Sequence, residues 1–287
     1  MKPFDFVQPT TTDAALAALA EHSPNVRILC GGTDYVVELK HGEQSPGVVV
    51  DISRLEDLKS IELTDAGLRI GAGVTHTEIM AHPLIAEHAP AMIEAAHTVG
   101  AVQTRNLGTL GGNLVTCVPS MDSGPVLLAL DAQVTILGPK GSRQMDLSEF
   151  FVGVRKTALE PDELLLDVII PTENLGKPAG FIKFGLRKGQ ALALVNAASA
   201  FRVEDGKFKD VRIALGAVAP VVMRASKAEA VLEGQAVSQD LIDEAAKIAV
   251  GEAKPIDDFR ASKEYRNSLI EVGTRRTLQA ALEAANG

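Results

Sequence analysis

Cysteine is scarce in this 287-residue chain: Cys30 and Cys117 are the only two, and they lie far apart in sequence. Two thiolates cannot supply the four ligands usual for an iron–sulfur cluster or a structural zinc site. A disulfide is not expected in a reducing cytosol, and both residues read as buried, inert thiols. Basic charge is also short, with 28 Lys and Arg against 37 Asp and Glu and a net charge of −9. No basic stripe offsets the deficit, which argues against nucleic-acid binding. The same sign requires that any anionic ligand be held locally, by backbone amides or a few placed cations. No apolar run approaches the roughly 20 residues that span a bilayer. Met1-Lys2-Pro3-Phe4-Asp5 carries neither a twin-arginine motif nor the apolar core of a signal peptide, so the expected compartment is the cytoplasm. Tryptophan is absent, yet hydrophobic residues make up 46% and mean hydropathy is +0.13. An extensive subunit interface or a well-filled Ala/Leu/Val core would each account for that. The chain has no internal repeat, no low-complexity tract and no Ser/His/Asp or Cys/His arrangement that reads as a nucleophilic centre.

What is present is alternating α and β patterning. Thr10–Asp13 reads as the cap of a helix ending near His22. Arg27–Cys30 reads as a strand running into Gly31-Gly32-Thr33-Asp34, followed by a helix over Tyr35–His41 and a strand over Val48–Ile52: a βαβ-like unit. Leu68–Val74 has β character. Two helices fit between Thr77 and Val99, broken by Pro83 and Pro90. A helix is expected over Ser123–Leu130, with strands at Val134–Leu137 and Leu164–Ile170. Residues 171–178 read as a polar linker. Beyond it, Ala193–Val203 and Val211–Val218 form β-like runs joined by the hairpin chemistry of Glu204-Asp205-Gly206-Lys207. Helical patterns follow at Lys227–Leu232, Gln239–Ala253 and Ser262–Ala285, which makes the C-terminal part a separate α+β unit.

Two glycine clusters carry the chemistry, Cys30-Gly31-Gly32-Thr33-Asp34 and Gly108-Thr109-Leu110-Gly111-Gly112-Asn113. Neither is a P-loop, and neither has the spaced glycines of a Rossmann turn. Each sets a Gly-Gly pair beside a small hydroxyl residue. Such a pair lets the backbone approach a ligand, and successive N–H groups converge into an anion-binding nest. Taken singly, each pair reads as a tight turn. Taken together, they suit a ligand with two phosphates lying between them, with Thr33 and Thr109 as hydroxyl donors and Asn113 and Asp122 placed to bond a ribose or adenine.

The run Val99-Gly100-Ala101-Val102-Gln103-Thr104-Arg105-Asn106-Leu107-Gly108-Thr109-Leu110-Gly111-Gly112-Asn113-Leu114 resembles the signature of the FAD-binding (medium) subunits of molybdenum hydroxylases. That family is the xanthine dehydrogenase, aldehyde oxidase and carbon monoxide dehydrogenase group. Leu29–Asp34, Pro125–Ala132, Phe150–Thr157, Pro161–Leu165, Gly216–Pro220 and Tyr265-Arg266 agree with it in order, so the resemblance covers essentially the whole chain. Cys30 stands where Ala is common, and Val118-Pro119-Ser120-Met121 replaces the usual Ser-Pro-Ala-Ala.

The resemblance implies an α+β fold: a two-lobed FAD-binding domain over 1–175 (lobes of about 1–55 and 56–175), then a C-terminal α+β domain over 176–287 with a three-stranded sheet plus helices. It implies that Leu29, Cys30, Gly31, Gly32, Thr33, Asp34 and Tyr35, with Thr109, Gly111, Gly112 and Asn113, hold the FAD pyrophosphate. Asp122 would contact the adenosine half. Leu166 and Lys183 would lie near the isoalloxazine, with Lys183 on its polar edge and Tyr35 flanking the ring. The implied partners are a molybdopterin-binding large subunit and a small subunit with two [2Fe–2S] clusters, assembled as a dimer of heterotrimers. Two other readings stay open: a self-contained flavin oxidase or dehydrogenase, and a flavin-free assembly subunit. Among the remaining residues, His76-Thr77-Glu78 reads as a solvated helix start. Arg105-Asn106 reads as a brace for the glycine loop. Glu264, Arg266, Arg275 and Arg276 read as a solvated or subunit-facing helix surface.

Overall fold

The Thr11 side chain accepts a hydrogen bond from the Ala14 amide at 3.2 Å and so starts the first helix where the sequence places a cap. In the computed structural model, which describes residues 2–286, the first lobe runs β1 (Asp5–Val7), α1 (Thr12–His22), β2 (Val26–Leu29), α2 (Tyr35–His41) and β3 (Val48–Asp51). Its sheet is parallel, in the order β1-β3-β2. Ala15, Ala18 and Leu19 of α1 share a core with Val26, Val48 and Val50, because the helix must bury its apolar stripe on the sheet face.

The second lobe begins with β4 (Ile61–Thr64) and β5 (Gly67–Gly71). Six short helices follow: α3 (His76–Ala81), α4 (Pro83–His88), α5 (Pro90–Thr98), α6 (Val102–Arg105), α7 (Leu110–Thr116) and α8 (Ser123–Ala129). Then come β6 (Gln133–Gly138), β7 (Gly141–Asp146), α9 (Leu147–Phe150), the small hairpin β8 (Phe151–Gly153) and β9 (Lys156–Thr157), and β10 (Leu164–Pro171). The antiparallel sheet is ordered β4-β5-β10-β6-β7. Where the sequence reading expects two helices between Thr77 and Val99, the structure has three. Pro83 and Pro90 each occupy the start of a helix, where the missing N–H costs nothing, so they begin helices rather than break them.

The C-terminal unit consists of β11 (Ala179–Phe184), β12 (Val195–Glu204), β13 (Lys207–Gly216), β14 (Met223–Arg224), α10 (Ser226–Leu232), α11 (Gln239–Glu252) and α12 (Lys263–Asn286). Its sheet runs β11-β12-β13-β14, so a two-residue fourth strand flanks the three expected. Asp205 and Gly206 take φ of 51° and 71°, as a two-residue hairpin requires. Two sequence readings need correction here. Residues 171–178 are not a free linker, since Asn174 and Lys177 are both buried: the Asn174 amide donates to the Leu130 carbonyl at 3.0 Å, and the Lys177 ammonium meets Asp210 at 2.7 Å. Arg266 is not on a solvated surface. It is buried, and its guanidinium donates to Asp258 at 2.9 Å and to the Leu194 carbonyl. Arg275 is paired with Asp243 and Glu271, while Glu264 and Arg276 are exposed. Among the described residues, no helix is long and apolar enough to cross a membrane.

Candidate cofactor site

The first glycine loop links β2 to α2, and the second opens α7; the fold presses the two together. A Cβ at Gly31 would lie 2.0 Å from the Leu107 carbonyl oxygen, so only glycine permits this approach. Gly32 turns the chain with φ of 70°. The amides of Gly32, Thr33 and Asp34 enter none of the hydrogen bonds among the described residues. Backbone donors left over at a tight turn form a nest for an anion. On the facing loop, the Thr109 side chain accepts from the Gly112 amide at 3.1 Å, which caps α7. Gly111 packs its Cα against Ala72, where a Cβ would come within 2.6 Å of the Ala72 Cβ. Asn113 accepts a hydrogen bond from the Ser123 hydroxyl at 2.6 Å, tying α7 to α8.

Between the loops runs one cleft, walled on its apolar side by Ile28, Ile52, Leu164 and Leu165. Tyr35 and Cys30 also line it. Cys30 is therefore only half-buried and is not the sealed thiol expected from its type. Burial pushes its thiol up, and the Thr109 hydroxyl pulls it partly back. Cys117 is buried, with its sulfur against the carbonyls of Gly153 and Lys156. Glu38 of α2 pairs with Arg155 of the β8–β9 hairpin, joining the two lobes. Toward the C-terminal unit, the Lys183 ammonium donates to Asp122 at 2.5 Å and to the Thr98 carbonyl at 3.0 Å. Both side chains are more than nine-tenths buried. The Asn196 amide adds a bond to Asp122 at 3.0 Å. Burial pushes the Asp122 carboxyl up, and Lys183 and Asn196 pull against it.

The chain matches two family models, one after the other. Residues 2–173 match the FAD binding domain in molybdopterin dehydrogenase, and residues 181–281 match the CO dehydrogenase flavoprotein C-terminal domain. It belongs to the FAD-binding medium subunits of the xanthine dehydrogenase and CO dehydrogenase family. Among these subunits, the xanthine dehydrogenase FAD-binding subunit of Escherichia coli O157:H7 is 31% identical over 99% of both chains. The 6-hydroxypseudooxynicotine dehydrogenase complex subunit alpha of Paenarthrobacter nicotinovorans is 33% identical over 99% of this chain and 97% of its own. In three dimensions, a chain of carbon monoxide dehydrogenase from Hydrogenophaga pseudoflava superposes with a TM-score of 0.95 at 28% identity, covering 99% of each. A chain of quinoline 2-oxidoreductase from Pseudomonas putida 86 gives 0.92 at 30%, covering 99% of this chain and all of the other. The relatives are dehydrogenase subunits of multi-subunit molybdenum-dependent oxidoreductases, and this flavoprotein subunit is of the same kind.

Within this medium subunit, the residues singled out from sequence converge on the cleft, with two exceptions. Leu29 and Leu166 are half-buried behind its lining, Leu29 with a methyl 3.0 Å from where a Gly32 Cβ would be. Asp122 and Lys183, which the resemblance assigns to the adenosine half and the isoalloxazine, both line the cleft and touch one another there. His76, read from sequence as solvated, is buried at 1% exposure and lines the cleft. Arg105, expected to brace the glycine loop, donates instead to the Val99 carbonyl at 3.0 Å, and Asn106 accepts from Thr77 at 2.6 Å. Sequence reasoning also passed over Thr104, which lies inside the signature run but away from its glycines, and Leu192, which stands in a segment without any motif of its own.

Proposed function

We propose that this chain is the subunit through which electrons pass from the [2Fe–2S] clusters of a small partner to an external acceptor, by way of FAD held in the inter-lobe cleft. A molybdopterin-bearing large subunit would hydroxylate the substrate, and the three would assemble in the cytoplasm as a dimer of heterotrimers. The observation that carries the reading is the contact between the two glycine loops, with unused amides on one and a capped helix start on the other. An acidic protein with a net charge of −9 needs such local backbone donors to hold a diphosphate. Gly32, Thr33 and Asp34 provide that cradle, the second glycine loop walls it, with Asn113 and Tyr35 flanking, and the Asp122–Lys183 pair closes the end nearest the C-terminal unit. Bound FAD supplies the ring that takes up and releases electrons, and the chain contributes binding, orientation and exclusion of water.

A competition experiment tests this. ADP, which keeps the diphosphate, should displace FAD from the purified chain, whereas riboflavin, which lacks it, should bind at least about a hundredfold more weakly than FAD, about 2.7 kcal/mol. Equal affinity for riboflavin and FAD would defeat the proposal.

A further inference from the structure

Two buried polar atoms of cleft-lining residues, the Tyr35 hydroxyl and His76 Nδ1, have no partner among the described residues. His76 opens α3 behind a Thr75–Glu78 capping box, and its backbone amide donates to the Gly108 carbonyl at 3.1 Å. A Cβ built at Gly108 would lie 2.9 Å from the Thr104 carbonyl oxygen, 3.4 Å from the Thr33 hydroxyl and 3.6 Å from His76 Cδ2. The Thr33 hydroxyl, the bare Gly108 backbone and the Cδ2 edge of the imidazole therefore meet at one spot, where the two glycine loops come together, beside a Thr104 carbonyl already taken by the Gly108 amide. The ring nitrogen Nδ1 is sealed from solvent and bonded to nothing. A neutral imidazole carries a single N–H. Burying that hydrogen without an acceptor is worse than burying a bare lone pair, which places the proton on Nε2. Burial, reinforced by the nearby Arg105 guanidinium, lowers the ring's pKa to about 4, so it stays uncharged at neutral pH. Arg105 adds a positive potential at the same place, which suits an anion.

We propose that His76 is a cofactor-binding residue, whose Nε2–H donates to an oxygen of the anionic group held between the two glycine loops. This rests on reading the cleft as a diphosphate site. Neutral histidine here does what a backbone amide does in a nest: it offers a hydrogen without a counter-charge. Thr33, on the opposite loop, faces the same oxygen.

Titrations of the purified full chain with FAD and with ADP, followed by flavin fluorescence and calorimetry, test the assignment. His76→Leu removes the donor at similar bulk and should weaken both ligands about tenfold or more. His76→Gln restores an N–H near the Nε2 position and should stay within about threefold of wild type. If wild type binds neither ligand, this inference and the reading of the cleft fall together. If wild type binds both and His76→Leu matches it, this inference alone is overturned, as it is if Gln loses as much as Leu. Should the Leu variant fail to fold, 15N-histidine NMR of the wild type decides. An Nε2–H tautomer whose Nε2 resonance moves on adding ADP supports the role. An Nδ1–H tautomer, or an Nε2 signal indifferent to ADP, overturns it.

Discussion

At the scale of single residues, the cleft depends on atoms that are missing as much as on atoms that are present. Gly31→Ala would drive a Cβ to 2.0 Å from the Leu107 carbonyl oxygen, a backbone atom with nowhere to go. The loops must separate, so FAD affinity should fall by at least about tenfold in a fluorescence titration. Gly42→Ala is the contrasting control. It sits at positive φ, 76°, as Gly31 does not, and nothing lies within 4 Å of its Cβ. That change should cost about 1–2 kcal/mol of stability in urea unfolding and leave the FAD affinity alone. His76 leaves a different mark, on the pH profile. Its pKa is lowered from 6.5 to about 4 by burial, then by Arg105. Above pH 6.5 the ring is neutral folded or unfolded and contributes nothing. As pH falls from there toward 4, the unfolded chain takes up a proton that the folded chain refuses, so stability declines, by about 3 kcal/mol at the limit. Urea midpoints of wild type should drop across this window, and those of His76→Gln should drop less.

Secondary elements bring these residues together, and here the sequence is informative about some things and silent about others. Thr11 announces a helix start because a cap is a contact three residues away, well within what a local pattern can carry. The Asp205-Gly206 turn and both glycine loops are legible for the same reason. What joins one element to another is not. The meeting of Gly31 with Leu107, and of Asp122 with Lys183, spans dozens of residues and depends on how the sheets stack. Thr75-His76-Thr77-Glu78 shows the limit most clearly. A capping box looks the same on a solvated helix and a buried one, and only the packing of α3 against the second glycine loop seals the imidazole. The tie between α2 and the β8–β9 hairpin was likewise out of reach of sequence. It pairs Glu38, 14% exposed, with Arg155, 54% exposed. An ion pair this wet is worth at most about 1 kcal/mol, so Arg155→Ala should raise the FAD dissociation rate no more than about fivefold. Stopped-flow displacement would measure it, and the difference from wild type should shrink as salt screens the pair.

At the scale of the whole molecule, the C-terminal unit joins the FAD-binding lobes through a shared apolar core, to which Ala198, Ala200, Ala214 and Val222 contribute, and through charges. Arg212 and Arg224 of its sheet both reach Asp131, and Lys183 and Asn196 both reach Asp122. The Asp122 contacts are the more demanding, because they are nearly dry. Removing one partner of a buried pair leaves the other charge uncompensated, at about 3–5 kcal/mol, whereas removing both can be close to neutral. Lys183→Met should therefore destabilise the protein severely, and the double variant Asp122→Asn/Lys183→Met should recover most of that loss. A double-mutant cycle by urea unfolding gives the coupling directly. The sign of the pH dependence provides an independent check. Burial already raises the Asp122 carboxyl, with Lys183 opposing, so without the ammonium the rise is larger. A carboxyl whose folded pKa lies above its unfolded value favours the folded state as it takes up a proton. Relative to wild type, the Lys183→Met variant should thus regain stability as pH is lowered from 8 toward 5, and the double variant should show no such gain. A single variant whose deficit is the same at both pH values would mean that the pair holds the domains by packing and not by charge.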